Sequence, residues 1–189
     1  MSIVVFDVDR TLLRVDSLLL AARKSNTNFK LILLGINLIP YLIAWKLRFI
    51  NTKRFKEVFI DKSQICKRSN LEILNNNEGW LLKDLKKMLR EQAFNRLQIH
   101  KDKGDIIILC SASPDMIIEP LAKAFNVEII CTNLIKIENE WTPQIKGENC
   151  KGSEKLRRLK NRIRSLENEK LEVYSDNIND KEILNAESI

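Results

Sequence analysis

The sequence predicts an α/β fold, a Rossmann-like parallel sheet interrupted by an inserted all-helical cap. Apolar runs of strand type occupy residues 2–6 and 105–110, and both are nearly continuous, as in strands that are covered on both faces. Between them, residues 16 to about 101 show helical periodicity without a convincing alternating run. Strands that alternate with helices form parallel sheets, so a sheet core with a long helical insertion is expected.

The insertion is predicted to contain helices only. Asp16 or Ser17 is placed to cap a first helix through residues 18–20. Residues 78–99 carry apolar side chains on one stripe and are predicted to form a single amphipathic helix. The residues of that stripe are Leu81, Leu82, Leu85, Met88 and Leu89.

After Gly104 strands and helices are predicted to alternate. The predicted elements are a strand at 105–110, a helix from Pro114 to about Phe125, a strand at 127–131, a hairpin of 134–137 and 141–145, a helix at 152–166, a strand at 171–175 and a helix from near Asp180. We therefore expect an α/β core of residues 1–14 plus 100–189, with residues 15–99 as the cap.

The composition of the chain limits the classes of function that it can have. A chain of 189 residues with 44% hydrophobic and 30% charged residues is typical of one globular unit with an insertion. The four cysteines show no C-x-x-C spacing, and the N-terminus has no signal-peptide pattern, so a reduced, cytoplasmic location, with or without membrane association, is expected. The single histidine, His100, excludes a histidine-rich metal site. The net charge of +7 favours anionic partners, but no nucleic-acid-binding motif is present, so no nucleic-acid partner is expected.

Polar side chains follow three of the predicted strands. Asp7 and Asp9 follow the first, Ser111 and Ser113 the second, and Asp176 and Asp180 the last. Parallel sheets bind ligands at the carboxyl ends of their strands, so these clusters are expected to meet. Two carboxylates that close repel, and a divalent cation relieves the repulsion. The pattern indicates metal-assisted phosphoryl transfer.

Four segments in this order resemble the motifs of the haloacid dehalogenase-like superfamily, in its branch with phosphoserine phosphatases and phosphatidylglycerophosphatase C. The resemblance covers about residues 1–14 and 100–186. The segments are Asp7-Val8-Asp9-Arg10-Thr11, Ser111-Ala112-Ser113-Pro114, Asn149-Cys150-Lys151-Gly152-Ser153-Glu154-Lys155 and Ser175-Asp176-Asn177-Ile178-Asn179-Asp180.

The resemblance implies a Mg²⁺-dependent phosphatase. Asp7 is then the nucleophile that forms an aspartyl-phosphate, and Asp9 is the general acid and base. Asp7, the main-chain carbonyl of Asp9 and Asp176 are expected to hold Mg²⁺.

The resemblance also assigns phosphate-binding and supporting residues. Thr11, Ser111, Ala112 and a lysine are expected to bind the phosphoryl group, with Asp180 and Asn177 in support. The lysine is Lys151 or Lys155, which lie one helical turn apart, and Lys155 is slightly favoured.

Two departures from the family pattern leave an alternative open. Arg10 occupies a position where relatives usually have glycine, and the chain stops at Ile189 where relatives continue with a strand and a helix. The alternative to an active phosphatase is a catalytically impaired or truncated relative that acts as a binding or peripheral-membrane protein.

Residues 31–45 are almost wholly apolar and allow two interpretations. The favoured one is a buried cap helix. The other is an interfacial segment, in which residues 29–54 contact a membrane and the site reaches a lipid phosphate ester instead of a small soluble one. In that case basic side chains face the headgroups, namely Lys30, Lys46, Arg48, Lys53 and Arg54.

Overall fold

The structure is a computed structural model that describes residues 2–67, 80–163 and 170–176. In chain order its elements are β1 (Ser2–Asp7), α1 (Ser17–Lys24), α2 (Asn28–Lys46), α3 (Thr52–Ser63), α4 (Trp80–Lys87), α5 (Glu91–Asp102), β2 (Ile106–Pro114), α6 (Asp115–Phe125), β3 (Glu128–Thr132), β4 (Leu134–Ile137), β5 (Glu140–Ile145), α7 (Ser153–Ile163) and β6 (Lys170–Tyr174). The predicted helix near Asp180 lies outside the described residues.

The main sheet has the order β3-β2-β1-β6, and every pairing in it is parallel. Val5 of β1 pairs with Ile108 of β2 on one side and Val173 of β6 on the other. Strands β4 and β5 form a separate antiparallel pair. The predicted parallel sheet core and the predicted hairpin are confirmed, and β1 delivers its last residue, Asp7, to the carboxyl edge between two neighbouring strands.

Both faces of the sheet are covered, which explains the continuous apolar runs. Val4 and Phe6 of β1 belong to the larger buried cluster, which also contains Ile117 and Leu121 of α6. Ile3 and Val5 point to the opposite face, where they pack with Ile108, Cys110 and Leu159. Alternate residues of β1 therefore pack into two different buried clusters, so both faces of the strand are apolar up to Asp7.

The prediction of one helix over residues 78–99 is wrong. Helices α4 and α5 are separated because residues 88–90 pair with the segment that leaves β1. The Arg14 N–H donates to the Met88 carbonyl and the Arg90 N–H to the Leu12 carbonyl, each at 2.8 Å. Leu13 and Leu89 form an isolated antiparallel bridge. Helix periodicity does not reveal this break, since it arises from a partner more than seventy residues away.

The expectation that residues 31–45 form a buried cap helix is also wrong. These residues lie in α2, which packs along α3, but in α2 only Leu34 is buried. In the described part of the chain, α2 is the one helix long and apolar enough to cross a membrane by length and composition. The contact with α3 covers one side of α2, and the other side carries large exposed hydrophobic residues.

Candidate active site

The turn after β1 orients the first two acidic residues. Residues 8–12 form a wide kinked turn, which the Leu13 N–H closes on the Val8 carbonyl at 2.8 Å. Arg10 sits in the left-handed region at φ 67°, which costs a residue with a Cβ about 1–2 kcal/mol. This backbone conformation explains why glycine suits the position. The Arg10 carbonyl is held by Arg90 Nε at 2.9 Å.

Three donors fix the Asp9 carboxylate. Oδ1 accepts from the Ser17 main-chain N–H at 2.7 Å. Oδ2 accepts from the Ser111 hydroxyl at 2.9 Å and from the Ser113 hydroxyl at 2.7 Å. Ser111 and Ser113 are buried at the end of β2. The first and second sequence segments therefore meet at one carboxylate, as the sheet topology predicts.

The lysine in contact with Asp7 is Lys155. Its Nζ lies 2.6 Å from Asp7 Oδ1, and the residue is 4% exposed. Leu159, one turn later on α7, is buried in the sheet core and holds this face of the helix inward. Lys151 is exposed at the rim of the cavity. The structure thus distinguishes the two lysines that the sequence could not separate, because Lys155 contacts Asp7 and Lys151 lies at the cavity rim.

Thr11 connects two carboxylates. Its hydroxyl lies 3.1 Å from Asp7 Oδ2 and 2.8 Å from Asp176 Oδ1, and it accepts from the Asp176 N–H at 3.0 Å. The sequence assigned Thr11 to phosphate, whereas here the hydroxyl joins the ends of β1 and β6. Asn177 and Asp180, the supporting residues, lie outside the described residues.

The oxygen donors beside Thr11 fit a hard cation. Asp7 and Asp176 both reach one hydroxyl, so their carboxylates are close enough to share a small ion, and oxygen-only sets suit Mg²⁺. Within residues 2–67, 80–163 and 170–176 no three acidic, cysteine or histidine side chains cluster as a metal site. The expected Mg²⁺ ligands are two carboxylates and one main-chain carbonyl, a set that does not need three such side chains.

A lysine from α3 completes the site. Lys56 of α3 donates to the Ala112 carbonyl at 2.7 Å and to Asn149 Oδ1 at 2.5 Å. Thr132 Oγ1 donates to the same carbonyl at 2.6 Å and lies 3.0 Å from Asn149 Oδ1. Sequence reasoning missed Lys56, because nothing in the sequence separates it from the other basic residues of α3. The sequence did place Asn149, a hydrogen-bond partner of Lys56, in the third of the four segments, and this was the one signal for the contact.

Burial changes the chemistry of Lys56. Desolvation lowers the pKa of its ammonium from 10.5 to about 8, although the charges of Asp9 and Asp16 oppose the shift. Burial, reinforced by Asp9, raises the pKa of Asp16. Each of these side chains lines one cavity of about 350 Å³, together with Asp7 and Lys155. The volume suits a small polar substrate or the head of a larger one.

The site can stabilise a dianion beside a nucleophile. The cavity places Lys56, Lys151 and Lys155 around the carboxylates of Asp7 and Asp9. A phosphoryl group would meet positive charge and hydroxyls here, and the aspartates would supply the attacking oxygen and the proton carrier.

Comparison with known proteins identifies the family of the chain and structures that share its fold. The family of haloacid dehalogenase-like hydrolases matches residues 4–185. No curated protein sequence matches the chain. A protein of unknown function from Bordetella pertussis Tohama I aligns with TM-score 0.77 and 21% identity, covering 98% of this chain and 86% of that one.

Two further solved structures share the fold. A HAD family hydrolase from Salmonella enterica serovar Typhi aligns with TM-score 0.68 and 14% identity over 97% of this chain and 59% of that one. A substrate-bound phosphoserine phosphatase aligns with TM-score 0.61 and 14% identity over 97% and 81%. At these identities the likeness establishes the fold, and the family match covers nearly the whole sequence. The chain belongs to the haloacid dehalogenase-like hydrolase family.

Proposed function

We propose that this protein is a Mg²⁺-dependent phosphatase that hydrolyses a phosphate monoester through an aspartyl-phosphate on Asp7. The observation that carries the proposal is the surroundings of Asp7. At the carboxyl end of β1, one oxygen of the Asp7 carboxylate contacts the buried Lys155 ammonium, and the other contacts the Thr11 hydroxyl. The second aspartate, Asp9, is oriented by three donors beside it. A halide would leave without a proton, so a fixed second carboxylate favours an oxygen leaving group.

In the first step an Asp7 oxygen attacks phosphorus, and the bond to the ester oxygen breaks. Asp9 gives its proton to the departing alkoxide, so the alcohol leaves neutral. In the second step Asp9 takes a proton from water, whose oxygen attacks phosphorus. The bond between phosphorus and Asp7 then breaks, and phosphate leaves with both aspartates restored.

The surrounding residues stabilise the charge that develops on phosphorus. Lys155 neutralises one phosphoryl oxygen, and the Ser111 hydroxyl turns from Asp9 to donate to another. Asp7, Asp176 and the Asp9 carbonyl would hold Mg²⁺, which supplies further neutralisation of the phosphoryl oxygens when it is bound. Lys56 places one more positive charge in the cavity from the cap side.

The test is release of inorganic phosphate with Mg²⁺ from a panel of phosphoserine, sugar phosphates and phosphatidylglycerophosphate. Release by the wild type that Asp7→Asn abolishes supports the proposal, because the amide cannot attack phosphorus. The same panel sorts soluble from lipid substrates. Lack of release from every substrate and from p-nitrophenyl phosphate, in protein that unfolds cooperatively, would contradict it and favour the impaired relative.

A further inference from the structure

We propose that the exposed side of α2 docks on an anionic lipid bilayer and lies flat on it. We define the α2 apolar face as the exposed hydrophobic side chains of α2 and of the turn that follows it. Its main members are Phe29, Ile32, Ile36, Ile39, Ile43 and Phe49. Docking through this face goes beyond the proposed phosphatase and does not depend on it.

The face is large and continuous along the helix. Phe29 at one end is 69% exposed, and Phe49 at the other is 80% exposed. Single exposed hydrophobic residues are ordinary on soluble proteins, but a contiguous row of them marks an interaction surface. The α2 apolar face therefore requires a partner with an apolar surface.

The charge around the face selects that partner. Residues 17–56 contain eight lysines or arginines and no aspartate or glutamate. Lys30, Lys46 and Arg48 are exposed along α2 and its following turn. An apolar face on a segment whose charged residues are all cations is typical of interfacial helices that bind anionic lipid, where each cation near the surface adds about 1 kcal/mol.

The same charge disfavours a second copy of the chain. A symmetric dimer would place this face against itself, so the cations of one copy would meet those of the other, and residues 17–56 supply no carboxylate to pair them. The repulsion would oppose the apolar contact. A bilayer rich in anionic headgroups supplies both the apolar layer and the compensating charge.

Packing favours a helix in the membrane plane rather than across it. Leu34 on the opposite side of α2 is buried, and α2 packs along α3. Trp45 stacks on Phe55 with ring centroids 5.4 Å apart, and its indole N–H donates to Thr52 at 3.3 Å. Crossing the bilayer would break these contacts, whereas lying flat uses the exposed side and keeps them.

The arrangement would bring the cavity to the lipid surface. The turn that carries Phe49 leads directly into Thr52, which lines the cavity with Lys56. A phosphate ester held in the headgroup layer would then lie near the site.

The test is co-sedimentation of the purified protein with vesicles of phosphatidylcholine and phosphatidylglycerol in about a 2:1 ratio, against vesicles of phosphatidylcholine alone. We expect the wild type to bind the anionic vesicles at least tenfold more tightly and to lose affinity as salt rises. Ile36→Glu/Ile43→Glu should weaken binding at least about tenfold, since two charges must enter the apolar layer. The matched control Ile99→Glu, exposed on α5, should bind as the wild type does.

Several outcomes would overturn the proposal. One is lack of binding to anionic vesicles at low salt, and another is equal binding by the α2 double variant. A dimer in light scattering that the double variant dissociates would assign the face to a second copy. Protein that stays in the vesicles after alkaline carbonate washing would indicate a spanning helix. Circular dichroism shows whether each variant is folded. Turnover of p-nitrophenyl phosphate tests the phosphatase proposal separately from membrane binding.

Discussion

Replacing Lys56 with methionine should separate activity from stability. A pKa that falls from 10.5 to about 8 corresponds to about 3 kcal/mol against the protonated form in the folded state. Methionine retains much of the apolar stem and removes the charge. Its cost is the loss of two hydrogen bonds, at about 1 kcal/mol each. The Ala112 carbonyl keeps the single hydroxyl proton of Thr132, at 2.6 Å, and Asn149 Oδ1 lines the cavity, where water can replace the ammonium.

We therefore expect Lys56→Met to raise the free energy of unfolding by about 1 kcal/mol at pH 7. The sign follows from linkage, because the unfolded state holds the proton more tightly. The cost of the charge is present below pH 8 and disappears as the pH rises from about 8 to 10.5. The advantage of the variant should shrink across that window. Urea unfolding at pH 7 and pH 10 measures it, with Lys62→Met, exposed on the same helix, as the matched control.

Activity should change in the opposite direction. Loss of the positive charge from the cavity should lower kcat/KM for p-nitrophenyl phosphate about 10- to 100-fold. The wild type should lose kcat/KM above pH 8 as Lys56 deprotonates, and Lys56→Arg should move that loss to higher pH. A variant that is less stable than the wild type by more than about 1 kcal/mol, or equally active, would refute this account of Lys56.

The remaining predictions concern the site and one buried acid. Lys155→Met should lower kcat/KM by about 100-fold or more, whereas Lys151→Met should lower it only a few-fold. Lys160→Met is the control, because Lys160 is exposed on the same helix, and it should leave kcat/KM unchanged. Equal losses at Lys151 and Lys155 would contradict the geometry. Chelation with EDTA should abolish turnover and added Mg²⁺ should restore it, so full activity in EDTA would exclude the metal. Burial raises the pKa of Asp115 from 3.8 to about 6, so the wild type should lose stability as the pH rises through that window. Asp115→Asn should abolish that slope and add about 1 kcal/mol at pH 7 in urea unfolding; an unchanged slope would refute the assignment.

The strands and their polar ends could be predicted because both depend on local sequence. A run such as residues 105–110 must be covered on both faces whatever its neighbours are, and parallel pairing then brings Asp7 and Ser111 to one edge. The helix predicted over 78–99 failed for the opposite reason. Its break at Leu89 is stabilised by main-chain bonds to residues 12–14, and no local pattern records a partner so distant in sequence.

The sequence by itself determined the α/β class, the order of the four segments and the family they resemble. Only the tertiary structure decided which lysine contacts Asp7, that Lys56 of α3 lines the cavity, and that α2 exposes its apolar side. The physical reason is common to all three. Helical periodicity shows which residues share a face, but only packing against other elements determines whether that face meets the core, the cavity or the solvent.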